Sequence, residues 1–435
     1  MQPRSRNHEP TFVARFAAYA CFVMLAAIAG CDSRPAPSSP QAAPAAERAA
    51  ADRPAAERPI AADAEWYRSQ LIDGIARPLL RNAVADNGFY RPFLGRDWRP
   101  LAEQRATLVS QSRAIYVLAA AYEVSGDAAY KDALVKLADF LLARFANPST
   151  PGVWASAVSA DGAVVDPGFY ALAHAQAMFA LAHAYRSTSD KRYLDAALAT
   201  WITMDVPRLV DQKNPLFKAT ALPVSMHLFE ALLALYRAAP SKLLLDDLSR
   251  MRDYIVANFF DRQKGFFYEN LDASLRPPPT GTVVVAHNAR IAFFLSRAVA
   301  AGLPEKYLDI ANRTVDFVVR SVNPTNSSLP FEIDYNGKIT NATIFGPNQA
   351  DLILCLAHYA SARGRTDLQR LHDDAVTYAK THLVDPEFGG WYAEADRPDL
   401  PKGHDWKVSY HETLMFTEEL RLRGWKFRSG AEMLL

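Results

Sequence analysis

The sequence predicts an all-α fold, a closed (α/α)6 barrel of six helical hairpins in a toroid, with loops and short strands at one mouth. Three observations lead there. From about Asp63 to Leu422, apolar residues recur at spacings of three and four, interrupted by short turns containing Gly, Pro, Asn or Asp. About twelve such runs follow one another, starting near Asp63, Gln104, Asp127, Phe169, Asp190, Pro223, Lys242, Val284, Pro304, Pro347, Thr366 and Tyr410. The runs alternate in character and fall into pairs, so the repeat is one hairpin of roughly fifty to sixty residues, longer than the common solenoid repeats.

The N-terminus is read as lying outside that fold. Arg4, Arg6 and Arg15 give a positive start, and an apolar run from Phe16 to Ala29 follows. This is a secretory signal pattern, short for a membrane span. It ends Ile28-Ala29-Gly30-Cys31, which resembles the bacterial lipobox, where the cysteine is lipidated and becomes the new N-terminus. Residues 1–31 are therefore expected to be a lipoprotein signal peptide. Residues 32–62, rich in Ala and Pro with almost no large apolar side chain, are expected to be a disordered tether. Residues 63–435 are expected to form the folded barrel domain. The expected location is the cell envelope, with the domain facing the periplasm or exterior and touching the membrane only through its N-terminal lipid.

Within each hairpin the first helix is rich in small apolar residues, as in Arg113-Ala114-Ile115-Tyr116-Val117 or His174-Ala175-Gln176-Ala177-Met178, and reads as buried on most sides. The second is amphipathic, as in the run from Tyr130 to Phe140. Ser125-Gly126-Asp127 is a turn between the two, with Asp127 placed to cap the next helix. Longer loops between pairs hold strand-like pieces, Gly265 to Glu269 and Gly389 to Tyr392. They are expected to gather around the N-terminal ends of the inner helices.

Lys and Arg total 48 against 47 Asp and Glu, so there is no basic excess to suggest nucleic acid. Cys21 and Cys31 lie in the signal, which leaves Cys355 alone as a small buried residue with no internal disulfide available. No zinc-type Cys/His spacing appears. Nothing indicates an oligomeric state.

Chemistry concentrates at helix starts. His287 and His411 each stand near the beginning of an apolar run, and His227 opens another. Imidazole titrates near neutral pH, so a facing pair can remove one proton and return another. Arg113 lies near a fourth such end, and helix N-termini offer N–H groups and positive partial charge to a developing oxyanion. His174, His183, His358, His372, His382 and His404 read as structural.

Five segments taken in order resemble a family: Gln111-Ser112-Arg113, Met226-His227-Leu228-Phe229-Glu230, Ala286-His287-Asn288, Gln349-Ala350-Asp351, and Gly389-Gly390-Trp391 followed by Lys407 and His411. The chain is similar to the N-acylglucosamine 2-epimerase superfamily, which includes cellobiose 2-epimerases and mannose isomerases, from about Glu65 to Trp425. The resemblance implies a cofactor-independent sugar 2-epimerase or aldose–ketose isomerase acting at C2 through an enediolate. His287 and His411 would be the acid/base pair, and Arg113 would hold the reacting oxygens. His227 and Trp391 would bind the sugar, with Gln349 and Asp351 beside them. The partner implied is a small sugar or a saccharide reducing end.

One departure stands out. The family pattern Gly-His-x-x-Glu is here Ala286-His287-Asn288-Ala289-Arg290. An arginine cannot accept a hydrogen bond from histidine. Arg290 is therefore expected to bind an anionic substrate, to retune the chemistry or to end it, with Asp351 as a replacement acceptor. The alternatives are a glycan-cleaving hydrolase or lyase on the same barrel, with Glu230 and Asp351 as carboxylates, and a non-catalytic sugar-binding lipoprotein.

Overall fold

A computed structural model describes residues 64–214 and 216–429. The expected signal peptide with its Cys31 and the expected tether lie outside the described residues. Helix α1 (Ala64–Leu71) runs through a π-helical turn, Ile72–Ala76, into α2 (Arg77–Asn82). Inner and outer helices then alternate. The inner helices are α3 (Leu108–Ser125), α5 (Ala171–Thr188), α8 (Leu222–Ala238), α10 (Val285–Ala300), α12 (Gly346–Ala362) and α14 (Tyr410–Leu422). Their outer partners are α4 (Ala128–Arg144), α6 (Lys191–Met204, followed by the short α7, Val206–Val210), α9 (Lys242–Phe259), α11 (Tyr307–Ser321) and α13 (Gln369–His382). Helix α1 takes the outer place beside α14. Each inner helix packs on the next and α14 packs on α3, so the ring closes into an (α/α)6 barrel. Observed helix starts agree with the sequence to within about a turn.

Packing explains the alternation. Every residue of α3 from Leu108 to Val124 is buried, because α3 touches inner neighbours on both sides and an outer helix behind. Helix α11 buries one stripe, Tyr307, Ala311, Thr314, Val315 and Val318, at spacings of three and four. Local signals set the starts. Asp127 accepts from Ala129 N at 2.9 Å, Asp190 from Arg192 N at 3.0 Å and Ser241 from Leu244 N at 3.2 Å. Gly126 ends α3 at φ 71°, a left-handed conformation natural to glycine. Cys355 is free and buried within α12.

Two small antiparallel sheets stand at the mouth. One has the order β1 (Arg105–Thr107), β2 (Ala157–Ser159), β3 (Val164–Asp166); the other has β4 (Thr282–Val284), β5 (Glu332–Asp334), β6 (Ile339–Asn341). Strand β1 leads directly into α3 and β4 into α10, with Ala106 opposite Val158 and Val283 opposite Ile333. The two segments expected to be strand-like each hold one bridged residue just beyond a tight turn, Phe267 opposite Phe260 and Trp391 opposite Val384, with Gly265 and Gly389 at φ 81° and 72°.

The fourth residue of an inner helix repeatedly anchors a mouth loop. Gln111 accepts from Tyr90 N at 3.0 Å and donates to Gly88 O at 2.9 Å. His174 Nε2 accepts from Trp154 N at 3.1 Å, and Asn288 from Phe267 N at 2.7 Å. Gln349 accepts from Leu329 N at 3.0 Å and donates to Ser327 O at 3.1 Å. Replacing Gln349 with Leu would strand these buried backbone groups, at a cost of about 1–3 kcal/mol. The expected outcome is a lower midpoint in urea unfolding; an unchanged midpoint would remove Gln349 from this role.

Candidate active site

Position along the inner helices decides which side chains meet. The sixth residues of five of them are Arg113, Gln176, His227, Arg290 and Asp351. Two residues along an α-helix turn the side chain by about 200°, so the sixth residue points away from the loop that the fourth one anchors. His287 and His411 stand third and second on their helices, closer to the mouth.

The sixth residues are joined by hydrogen bonds. Arg113 Nε donates to Gln176 Oε1 at 3.1 Å, and its Nη1 donates to the Trp406 carbonyl. Gln176 Nε2 is 3.0 Å from His227 Nδ1, which is 2.8 Å from Glu230 Oε2. The other Glu230 oxygen accepts from the Tyr410 hydroxyl. The Tyr410 ring lies between two guanidiniums, 4.8 Å from Arg113 and 5.4 Å from Arg290.

Each histidine of the set has a carboxylate at Nδ1. His227 has Glu230, His287 has Glu269 with both oxygens at 3.0 Å, and His411 has Asp351 at 3.0 Å. At His287 the carboxylate is alone at Nδ1, so Nδ1 carries the proton and Nε2 keeps its lone pair, whereas at His227 and His411 a donor, Gln176 Nε2 or Arg290 Nη2, shares Nδ1 with the carboxylate. His287 and His411 side chains are 23% and 15% exposed, which leaves room for a ligand; that of His227 is nearly closed off at 5%.

Arg290 is fully buried and does not serve His287. It forms a forked pair with Asp351, its Nη2 at 2.8 and 2.9 Å from the two oxygens and its Nε at 3.2 Å from one of them. The same Nη2 contacts the His411 ring at both nitrogens, 3.3 Å from Nε2. Thus Arg290 is not open to an anionic substrate, and Asp351 serves His411. The acceptor for His287 is Glu269, from the turn after α9, whose backbone carbonyl also accepts from Leu222 N at 2.9 Å. Sequence reading had passed over Glu269 as part of a strand-like piece.

The electrostatics follow. Burial, then the Arg290 charge, push His411 down to about 3 against the pull of Asp351. Burial takes His227 to about 4 despite Glu230. Burial would raise Asp351, but Arg290 and then His411 outweigh it and hold the carboxyl at about 2. Arg113 is lowered by burial to about 10 and stays charged near neutrality.

Other expected residues lie apart from this set. Gln349 is fully buried and engaged with backbone groups. Trp391 is 1% exposed and packs edge-on against Phe416, 5.9 Å between ring centroids. Besides Tyr410, the Trp406 ring lies 5.9 Å from Arg113, and with Phe169, Tyr170 and Phe217 it walls a cavity of about 450 Å³ at the mouth. Among the described residues, no group of three His, Cys, Asp or Glu side chains is placed to hold a metal ion.

The family model for N-acylglucosamine 2-epimerase (GlcNAc 2-epimerase) matches residues 88–415. The chain belongs to this family. Solved structures share the fold. Cellobiose 2-epimerase from Bacillus thermoamylovorans B4167 is 18% identical, over 82% of this chain and 98% of its own, with a TM-score of 0.75. A D-mannose isomerase is 16% identical, over 84% of this chain and 100% of its own, with a TM-score of 0.71. A GH76 α-mannanase from Bacteroides thetaiotaomicron is more distant, 14% identical over 83% of this chain and 96% of its own, with a TM-score of 0.58.

The depressed histidines couple stability to pH. Their folded pKa values lie below the unfolded one, so the unfolded chain takes up protons first as pH falls. The stability they contribute is fully present above about pH 6.5 and is lost as pH falls toward 4 for His227 and 3 for His411. Circular dichroism melts from pH 7 to 4 should show a falling Tm, with a shallower fall in His411→Asn. An equal slope in that variant would count against a neutral His411.

Proposed function

We propose that this member of the N-acylglucosamine 2-epimerase family is an active sugar 2-epimerase or aldose–ketose isomerase, held on the cell envelope through lipidated Cys31. The observation that carries the reading is that the starts of the inner helices present a buried arginine, Arg113, and three carboxylate-backed histidines, His227, His287 and His411. In an open-chain aldose the C2 proton is acidic because the neighbouring carbonyl accepts the electron pair. The Nε2 lone pair of His287 takes that proton, and Glu269 stabilises the imidazolium formed. Arg113 faces the oxygen that gains charge. Its Nε and Nη1 are held by Gln176 and Trp406, which leaves Nη2 for that oxygen.

An exported domain meets sugars outside the cytoplasm, so a free sugar or a saccharide reducing end is the proposed substrate. The glycan-cleaving alternative calls for two carboxylates flanking the bond that breaks. Glu230 is fully buried and engaged with His227 and Tyr410; Asp351 is 1% exposed and engaged with Arg290 and His411. Neither is presented to a glycosidic oxygen.

The test is proton exchange. The domain from Asp63 onward is incubated in deuterated water with free sugars, amino sugars, uronic acids and β-linked disaccharides, and NMR reads deuterium at C2 or C1. Exchange is expected with at least one sugar and should fall about a hundredfold or more in His287→Ala. Full activity in that variant would sink the mechanism. Binding of a sugar with no exchange would favour the non-catalytic alternative.

A further inference from the structure

The two outer histidines of the site differ in what stands behind them. Protonating His287 places an imidazolium against Glu269, both oxygens 3.0 Å from Nδ1, and the two charges cancel. Protonating His411 places an imidazolium beside Asp351, whose charge is already matched by the forked Arg290 guanidinium. That guanidinium touches the His411 ring itself, 3.3 Å from Nε2. The other groups facing His411 do not repair this. Tyr410 is a neutral ring at 5.2 Å, and the charge of Arg113 adds to that of Arg290. An imidazolium at His411 is thus one positive charge too many in a buried group, whereas at His287 it completes an ion pair.

Epimerisation at C2 by two bases requires both to carry the proton in turn, one removing it from one face and the other delivering it to the opposite face. Isomerisation requires only one carrier. We infer, on the reading proposed above, that His287 is the only proton carrier at carbon and that the enzyme converts an aldose to a ketose, with Arg290 as the residue that keeps His411 from acting as a second base. The C2–H bond breaks with its proton going to His287 Nε2, and its electron pair forms the C1=C2 bond while the carbonyl pair moves onto O1. A proton then passes from the O2 hydroxyl to O1. The O2 pair forms C2=O, and the C1=C2 pair takes the proton back from His287 at C1, leaving the imidazole neutral. His411, neutral between Asp351 and Arg290, hydrogen-bonds a substrate hydroxyl and sets the sugar's orientation.

The test uses the full chain and two probes, [2-2H]-D-mannose and [2-2H]-D-glucose, in ordinary water. The expected first product is the ketose, with part of the deuterium carried from C2 to C1. A 2-epimer formed ahead of any ketose would overturn the inference. In Arg290→Gln the ratio of epimer to ketose should rise at least tenfold, since His411 is then released to carry a proton; an unchanged ratio would assign Arg290 a structural role only. A measurement independent of turnover is the 15N spectrum of the His411 ring, assigned with His411→Asn. The neutral form at pH 5 is expected, and an imidazolium there would overturn the charge argument whatever the sugars do. If His411 is neutral but no sugar exchanges, the isomerase reading falls and this inference with it, for a reason separate from the charge argument.

Discussion

A helix that packs against a neighbour on each side and another behind leaves its polar side chains no route to water, and the protein is organised by this constraint. Polar groups on the inner helices must satisfy one another or satisfy backbone. The fourth residues meet the requirement outward, where Gln111, His174, Asn288 and Gln349 bond the turns of the mouth. The sixth residues largely meet it inward, where Arg113, Gln176 and His227 form a chain and Arg290 pairs with Asp351 through Nε and Nη2, its buried Nη1 left without a partner among the described residues. The anchored loops hold the mouth in shape, and the inward layer gathers the charged and titratable groups. Both follow from helical rotation on a scaffold of apolar helices.

Arg290 and Asp351 are the sharpest case. A buried ion pair repays its desolvation only with good geometry, and removing one partner typically costs about 3–5 kcal/mol because a bare charge is left behind. The forked contact at 2.8 and 2.9 Å meets that condition. An arginine at this position therefore acts on its surroundings as a unit: it claims a carboxylate, and its remaining field falls on the nearest ring, His411. His287, on the same helix three residues earlier, is spared because its own carboxylate arrives from a different element, the Glu269 turn.

Much of this was legible in the sequence, and the boundary of legibility has a physical cause. Helix starts near Asp127, Asp190, Lys242, Val284 and Tyr410 were readable because periodicity and capping residues are local. Arg113, His227, His287 and His411 were readable as helix-start residues of a recognisable family. What stayed hidden depends on which elements become neighbours. Glu269 lies 18 residues before His287 in a turn whose direction is set by Gly265 and by Asn288, so its reach into the site is a tertiary fact. The partner of Arg290 is 61 residues away. Gln349 and Trp391 carry the residue types expected of a sugar site, but one is used by a loop and the other by packing. The two strand-like pieces extend no further than a single bridge each, because a glycine-rich aromatic piece turns as readily as it extends.

The three histidine–carboxylate pairs show why a residue inventory underdetermines chemistry. His227, His287 and His411 carry the same bond at the same nitrogen. They differ in the third body. For His227 it is Gln176, with almost no exposed surface, which suits a group that fixes Arg113 through the amide. For His411 it is a cation, which makes imidazolium unfavourable. For His287 no cation bonds to either partner among the described residues, and 23% of the ring is open. A carboxylate can stabilise a proton on its histidine only while its own charge is unclaimed, and of the three pairs the one that is open and unclaimed is His287 with Glu269.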